Sequence, residues 1–239
     1  MHVRLATHDD VAEIATVPVS AYEDDPQDAY MYPRRFNYPQ LYIKAKASIA
    51  RSALEDTTAT LIVVTLDETD NYWDGTPTIV GFCIWYRETE YAQEAPDDQD
   101  GKDQGGSIFS AIKSYVLESE IVDYLSDLAN PILSASHSRA MAQICSKPDS
   151  QQFVDGYEKP RYYHGVLDIG VDKGFQGRGV ARLLMEWGMN RARTENLPVY
   201  LSATPAGKPL YLKLGFRTIG YWIWRPNQPE KWDIMQWDP

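Results

Sequence analysis

Residues 167–185 place a glycine-rich turn between a segment that favours a strand and a segment that favours a helix. Glycines at Gly177 and Gly179 let the backbone adopt positive φ and approach a ligand closely. The free amides of the following helical turn would point at an anion. This order of elements therefore predicts a phosphate site. The apolar residues with helical spacing after the turn are Val180, Leu183, Leu184 and Trp187.

The residues that follow Gly179 exclude two well-known phosphate loops. A Walker loop requires Lys and then Ser or Thr, whereas this chain has Val180 and Ala181. A Rossmann fingerprint requires a third small residue at the position of Arg182. The turn fits a different pattern, Gln-x-x-Gly-x-Gly/Ala, which begins at Gln176.

A second motif lies downstream of the predicted helix. Residues 197–203 favour a strand, and residues 210–216 read Leu-Tyr-x-x-x-Gly-Phe. In that pattern Gly215 would end a short helix as a C-cap, and Phe216 would open the next strand.

Together, these two motifs resemble the GNAT superfamily of N-acetyltransferases. The N-terminus agrees with the resemblance, because a predicted strand at 2–6 precedes capping residues at Asp9 and Asp10. The resemblance implies a mixed α/β fold with a twisted sheet of about seven strands and helices on both faces. It covers the two ends of the chain, and residues 1–239 are interpreted as one domain.

The unmatched middle, residues 88–160, is interpreted as an insertion between the third and fourth strands. Residues 88–106 have the composition of a loop. Apolar periodicity at 108–128 and at 132–144, with Pro131 between, predicts a helical hairpin. Such a hairpin would either cover the acceptor site or only stabilise the domain, and the sequence leaves both open.

Charge is distributed unevenly along the chain, whose formal net charge is −11. This net charge argues against a nucleic-acid partner. Residues 161–217 hold nine Lys and Arg against four Asp and Glu, a net charge of +5, which suits a ligand with phosphates. Residues 87–160 have a net charge of −8 and would either solvate the surface or attract a cationic amine.

The resemblance implies acetyl-CoA as the cosubstrate, with no metal. In the family the turn amides hold the pyrophosphate, and a splayed strand pairs with the pantetheine arm. A bulge that starts this splay is expected at Gly170. Lys173 and Thr204 depart from the family, which often has Pro and Asn there. The predicted cofactor residues are Ile169, Gly170, Val171, Gln176, Gly177, Arg178, Gly179, Val180, Ala181, Thr204 and Lys213.

Tyr211 matches the family position that protonates the leaving CoA thiolate, and it is the predicted general acid. Gly165 stands where several family members carry the general base, and glycine has no side chain. The neighbouring His164 is a candidate base, although a lone histidine is more often structural. A noncatalytic acyl-CoA-binding module is therefore an alternative function.

The acceptor is predicted to be an amine of a small molecule, and a cationic amine would be attracted by the acidic central segment. A protein or peptide N-acetyltransferase with an open groove is the alternative. Aromatic and acidic residues near the expected acceptor site are candidate contacts, although most such residues serve as core or turn residues. They are Asp24, Asp25, Tyr30, Trp85 and Tyr86.

The remaining features restrict where the protein works. No apolar run reaches the ~18 residues of a membrane span, and the N-terminus does not resemble a signal peptide. Cys83 and Cys145 are expected to be free thiols in a reducing compartment. A cytoplasmic protein without a membrane partner is predicted. The sequence leaves open the amine, the acyl length and the oligomeric state.

Overall fold

A computed structural model describes residues 1–88, 131–145, 147, 150–225 and 231–239. The N-terminal part contains β1 (His2–Leu5), a 3-10 turn (His8–Asp10), α1 (Val11–Ile14), α2 (Val17–Ala21), α3 (Pro26–Met31), α4 (Pro39–Glu55), β2 (Ala59–Thr65) and β3 (Ile79–Glu88). The rest contains α5 (Ala135–Cys145), β4 (Gln151–Phe153), β5 (Tyr163–Val171), a 3-10 turn (Lys173–Phe175), α6 (Val180–Glu195), β6 (Val199–Ala203), α7 (Lys208–Lys213), β7 (Arg217–Ile223) and β8 (Lys231–Trp237).

The described strands form one sheet in the order β1-β2-β3-β5-β6-β8-β7-β4. All neighbouring pairs are antiparallel except the central pair, β5 and β6. The predicted mixed α/β fold with a twisted sheet is confirmed, with eight described strands instead of about seven. The additional strand is β4, a three-residue edge strand within the segment that was expected to be an insertion.

Helices cover both faces of the sheet. Side chains alternate along each strand, so one strand can supply apolar side chains to both faces. On one face, Cys83 and Trp85 of β3 pack in a core cluster with α6. On the other face, Phe82 and Ile84 pack with α1 and α4. The sheet is therefore the middle layer, and α6 packs on the opposite side from α1 and α4.

Gly188 lets α6 lie close to β3. A Cβ at this position would overlap the indole of Trp85, so only glycine fits beneath the ring. The indole Nε1 of Trp85 also donates a hydrogen bond to the Leu184 carbonyl, at 3.3 Å. These contacts determine the position of α6 and hence of the glycine turn at its start.

Asp9 and Asp10 are predicted to cap the first helical segment, and the structure confirms this for Asp10. Thr7 is the N-cap residue, and the Asp10 carboxylate accepts a hydrogen bond from the Thr7 amide at 2.7 Å. Arg4 forms an ion pair with Asp10 at 2.7 Å, and this contact together with the Thr7 bonds lowers the pKa of Asp10 to about 2. Asp10 therefore acts from the third position of the turn, whereas Asp9 makes no capping bond among the described residues.

The helix predicted at 132–144 is confirmed as α5. It contacts α3, where the rings of His137 and Tyr30 stack with centroids 4.0 Å apart. The helix predicted at 108–128 lies outside the described residues. None of the described helices is long and apolar enough to cross a membrane.

Candidate active site

The two central strands diverge soon after they meet. Among the described residues, β5 and β6 pair only at His164–Val199 and Gly165–Tyr200. Beyond these pairs β5 continues along β3, and β6 continues along β8. A gap therefore opens in the middle of the sheet, and the facing strand edges are not paired with each other.

The bulge that accompanies this divergence is at Leu167. Trp85 pairs with Val166 and Ile84 pairs with Asp168, so Leu167 is the extra residue. The expectation of a bulge at Gly170 is wrong, because Gly170 pairs regularly with Phe82.

Gly170 is instead needed for space. A Cβ there would lie 2.6 Å from the Phe82 ring and 3.0 Å from the Tyr22 hydroxyl. Because of the bulge, Leu167 and Asp168 both face α2 and α4, where Leu167 packs in the apolar cluster and Asp168 meets Tyr22.

The glycine turn has the geometry that its sequence predicts. Gly177 has φ 74° and Gly179 has φ 87°, and Gly179 is the N-cap of α6. Around either glycine no heavy atom of the described structure lies within 4 Å of where a Cβ would stand, so the turn is open to a ligand. The side-chain amide of Gln176 donates a hydrogen bond to the Val171 carbonyl, at 3.1 Å, and holds the turn against the end of β5.

Two cations flank the turn. The Arg178 guanidinium stacks on the Tyr72 ring, 3.7 Å from its centroid. Lys173 forms exposed ion pairs with Glu23 and Asp24, and these contacts raise the pKa of its ammonium. Since Asp24 already pairs with Lys173, it joins the loop after α2 to the turn.

The other predicted cofactor residues contribute in different ways. Val171 and Val180 are buried in the core on the α6 face, so only their backbone groups are left for a ligand, and Ile169 and Ala181 are partly buried against the same cluster. The Thr204 hydroxyl accepts a hydrogen bond from the Gly207 amide at 3.1 Å and thereby orders the loop before α7. Lys213 lies exposed in the last turn of α7.

Tyr211 on α7 is buried and packs against Phe216, with ring centroids 5.6 Å apart. Burial raises the pKa of its phenol well above the ordinary value, and the nearby Cys83 and Asp168 add to this effect. The hydroxyl therefore keeps its proton at neutral pH, which a general acid requires.

The side-chain space at Gly165 is filled by Tyr86. A Cβ at position 165 would overlap the ring and hydroxyl of Tyr86, which lies opposite on β3. Burial raises the pKa of Tyr86 to about 12. The glycine therefore makes room for a protonated phenol at the last strand pair before the gap.

His164 lies at the other end of α6. It is buried, and its Nε2 is 3.0 Å from the carboxylate of Glu195, which also pairs with Arg87 at 2.8 Å. Burial lowers the pKa of His164. Glu195 ends a helix of 16 residues, about 24 Å long, so the structure does not bring His164 to the glycine turn.

The predicted acceptor residues do not form one cluster. Trp85 is buried under α6, and Tyr30 stacks on α5. Asp25 is the N-cap of α3 and accepts from the Asp28 amide at 2.7 Å. Of the five candidates, Tyr86 alone adjoins the last strand pair before the gap.

Asp168 is not among the site residues predicted from the sequence. Its carboxylate accepts a hydrogen bond from the Tyr22 hydroxyl, and burial raises its pKa although Lys46 and Tyr22 oppose this. The one signal in the sequence is an acidic residue within an otherwise apolar strand, VLDIGV. Within the described part of the chain, no group of three or more potential ligands is placed to hold a metal ion.

Residues 143–218 match the family model described as an acetyltransferase (GNAT) domain. This range includes the glycine turn, α6 and Tyr211. The chain carries a GNAT acetyltransferase domain.

Curated relatives agree with the GNAT assignment. The chain is 24% identical over 223 residues to an acetyltransferase of Stachybotrys chartarum, covering 91% of this chain and 81% of the relative. It is 43% identical over 42 residues to the probable acyltransferase SID5 of Ajellomyces capsulatus, covering 18% of this chain and 31% of that protein. The protein is therefore an acetyltransferase.

Solved structures share the GNAT fold. A protein of Corynebacterium glutamicum described as histone acetyltransferase HPA2 and related acetyltransferase matches with a TM-score of 0.57 and 17% identity, covering 100% of this chain and 96% of that one. The polyamine N-acetyltransferase of Drosophila melanogaster matches with a TM-score of 0.51 and 15% identity, covering 98% and 96%.

The contact between Gly165 and Tyr86 predicts a coupled effect on stability. Gly165→Ala should lower the free energy of unfolding by about 1–3 kcal/mol, because the methyl group has no room beside the ring. In a Tyr86→Ala background the same change should lower it far less. Urea unfolding of the wild type, both single variants and the double variant measures this coupling. Additive effects would show that Tyr86 is not the reason for the glycine.

Proposed function

We propose that this acetyltransferase transfers the acetyl group of acetyl-CoA to a primary amine of a small molecule, by direct attack in a ternary complex. The observation that carries the proposal is the open glycine turn at the start of α6, which follows the strand that forms one wall of the gap. Together they offer a phosphate site next to an edge of β5 that has no partner strand among the described residues.

The turn would bind the pyrophosphate of the donor. The positive φ angles at Gly177 and Gly179 leave space for the phosphate oxygens, and the first amides of α6 point toward that space. Arg178 would add a positive charge beside it. The free edge of β5 would pair with the pantetheine arm, as the family resemblance implies.

The reaction would need few side chains. Backbone amides polarise the thioester carbonyl, and positioning of donor and acceptor supplies much of the rate. The Tyr211 phenol would protonate the CoA thiolate, whose conjugate acid has a pKa near 8.5, as for a simple thiol. Its raised pKa supports this role, because the phenol is protonated when the thiolate leaves.

A cationic acceptor is supported by the charge of the central segment, −8 over residues 87–160. Asp24 and Asp25 support it less, since one pairs with Lys173 and the other caps α3. The long-range field of the acidic segment would raise the encounter rate of a cation.

An acceptor panel tests this function. The protein with acetyl-CoA should release free CoA with small cationic amines, above a control without acceptor. A diamine and its mono-N-acetyl analogue form a matched pair, and added NaCl should lower kcat/KM more for the diamine, because the Debye length shortens to about 8 Å at 0.15 M salt. Turnover of peptides alone would indicate a peptide N-acetyltransferase, and no turnover with any acceptor would indicate a noncatalytic module.

Gly179→Asp should abolish CoA binding, because it adds a side chain and a negative charge where the pyrophosphate would lie. Gly156→Asp is the matched control, since Gly156 also has a positive φ, 84°, and open space around its Cβ position, but lies after β4. Calorimetry with CoA should show normal affinity for the control. Equal affinities for the two folded variants would place the phosphates elsewhere.

Tyr211→Phe should lower kcat by about 10²-fold while leaving CoA affinity unchanged, because it removes the hydroxyl and keeps the packed ring. Tyr221→Phe, on the exposed face of β7, is the control and should behave as wild type. Steady-state kinetics with a saturating acceptor measure the effect. A wild-type kcat for Tyr211→Phe would assign the proton to solvent.

A further inference from the structure

We propose that the Asp168 carboxylate is the base that takes the proton from the acceptor amine. The inference rests on the proposed function, and it assigns the proton acceptor that Gly165 cannot provide. It is carried by the position of Asp168 on the strand that borders the gap, by the Tyr22 hydroxyl that holds its carboxylate, and by the charge of its surroundings.

Asp168 stands where the gap begins. The last pair between β5 and β6 is Gly165–Tyr200, and Asp168 follows three residues later, directly after the bulge residue Leu167. Its side chain is half-buried and faces the loop after α2. Tyr211 packs in the core cluster on the α6 face, whereas Asp168 faces Tyr22 on the other face, so the proposed acid and base would approach the gap from opposite sides of the sheet.

Tyr22 positions the carboxylate. Its hydroxyl, at the end of α2, donates a hydrogen bond to one oxygen of Asp168 and leaves the other oxygen for a further partner. A small cavity of about 10 Å³ adjoins Asp168 and Lys46 and is otherwise lined by apolar side chains. That volume suits about one water molecule, which would have the Asp168 carboxylate and the Lys46 ammonium as polar partners.

The surroundings of Asp168 hold more carboxyl groups than cations. Lys46 is buried and pairs with Asp28 at 2.6 Å, and Arg35 pairs with the same carboxylate at 3.4 Å. Asp25 and Asp168 are the two further carboxyl groups. With all three carboxyl groups ionised, three negative charges face the two positive charges of Lys46 and Arg35. An acceptor ammonium would neutralise the remaining negative charge.

Titratable groups from every neighbouring element act on Asp168 or respond to it. They are Tyr22 directly after α2, Asp25 and Asp28 at α3, Lys46 on α4, Cys83 on β3 and Tyr211 on α7. Burial raises the pKa of Asp168, so the carboxylate fraction increases as the pH rises through this elevated pKa. Activity should therefore fall as the pH is lowered through the same range.

The proton balance closes with these two groups. The acceptor enters as an ammonium with three protons on nitrogen, and Asp168 takes the first and later releases it to solvent. The free amine attacks the thioester carbonyl, the C–N bond forms, and the C–S bond breaks. Tyr211 gives its proton to the thiolate and recovers the second proton from the amide nitrogen, and the third stays on the amide.

Asp168→Asn tests the assignment, with the wild type and acetyl-CoA plus the best amine of the panel. We expect CoA affinity to be retained and kcat to fall about 10²–10⁴-fold, the range for loss of a general base. The decline of kcat/KM at acidic pH should disappear, because the titrating carboxyl is gone. In Asp168→Ala, added formate should restore part of the rate.

Asp28→Asn is the matched control, since it removes another buried carboxyl of the same cluster. It should lower stability and move the acidic decline in kcat/KM to lower pH without removing it, because the Asp28 charge raises the pKa of Asp168, and formate should not increase its rate. A purely structural role for Asp168 predicts instead that the two asparagine variants behave alike.

Tyr22→Phe keeps the test decisive if Asp168→Asn does not fold. The Tyr22 hydrogen bond lowers the pKa of Asp168, so its removal should move the acidic decline to higher pH. An unmoved profile in folded Tyr22→Phe, or wild-type kcat in Asp168→Asn, would overturn the assignment while leaving the proposed function intact. No turnover by the wild type with any amine would overturn both.

Discussion

The loss of pairing between β5 and β6 is the constraint on which the rest of the site depends. Two residue pairs join these strands, and each strand then follows its outer neighbour. Unpaired backbone edges in a sheet are normally costly, because buried N–H and C=O groups need partners. A bound ligand would supply such partners in the gap, which links the end of the strand pairing to the chemistry proposed for the site.

The glycine turn is held in place by packing at a distance. The Trp85 ring packs against Gly188 and determines how close α6 lies to the sheet. The His164–Glu195 pair holds the C-terminal end of α6. Gln176 holds its near end to β5. His164 thus contributes to the packing of the helix whose N-terminus would face the ligand.

Buried charge near Asp168 is expensive unless it is well paired. The Asp28 carboxylate forms ion pairs with Lys46 and Arg35 and accepts a hydrogen bond from the Tyr42 hydroxyl. Among the described contacts, the Asp168 carboxylate accepts a hydrogen bond from the Tyr22 hydroxyl alone. A hydrophobic residue at position 168 would fit the surrounding apolar strand more easily. The asymmetry in pairing is consistent with a carboxylate that exchanges a proton instead of stabilising the core.

The sequence by itself determined the order of strand, glycine turn and helix, and the helix end at Gly215, because backbone preferences of glycine and apolar periodicity act over a few neighbouring residues. It also indicated the fold class, which the structure and the family match confirm. Only the tertiary structure decided that the bulge lies at Leu167, that Tyr86 occupies the space beside Gly165, and that Tyr22 meets Asp168 across 146 residues. Register and contacts between distant segments depend on how whole strands and helices pack, and no local pattern encodes them.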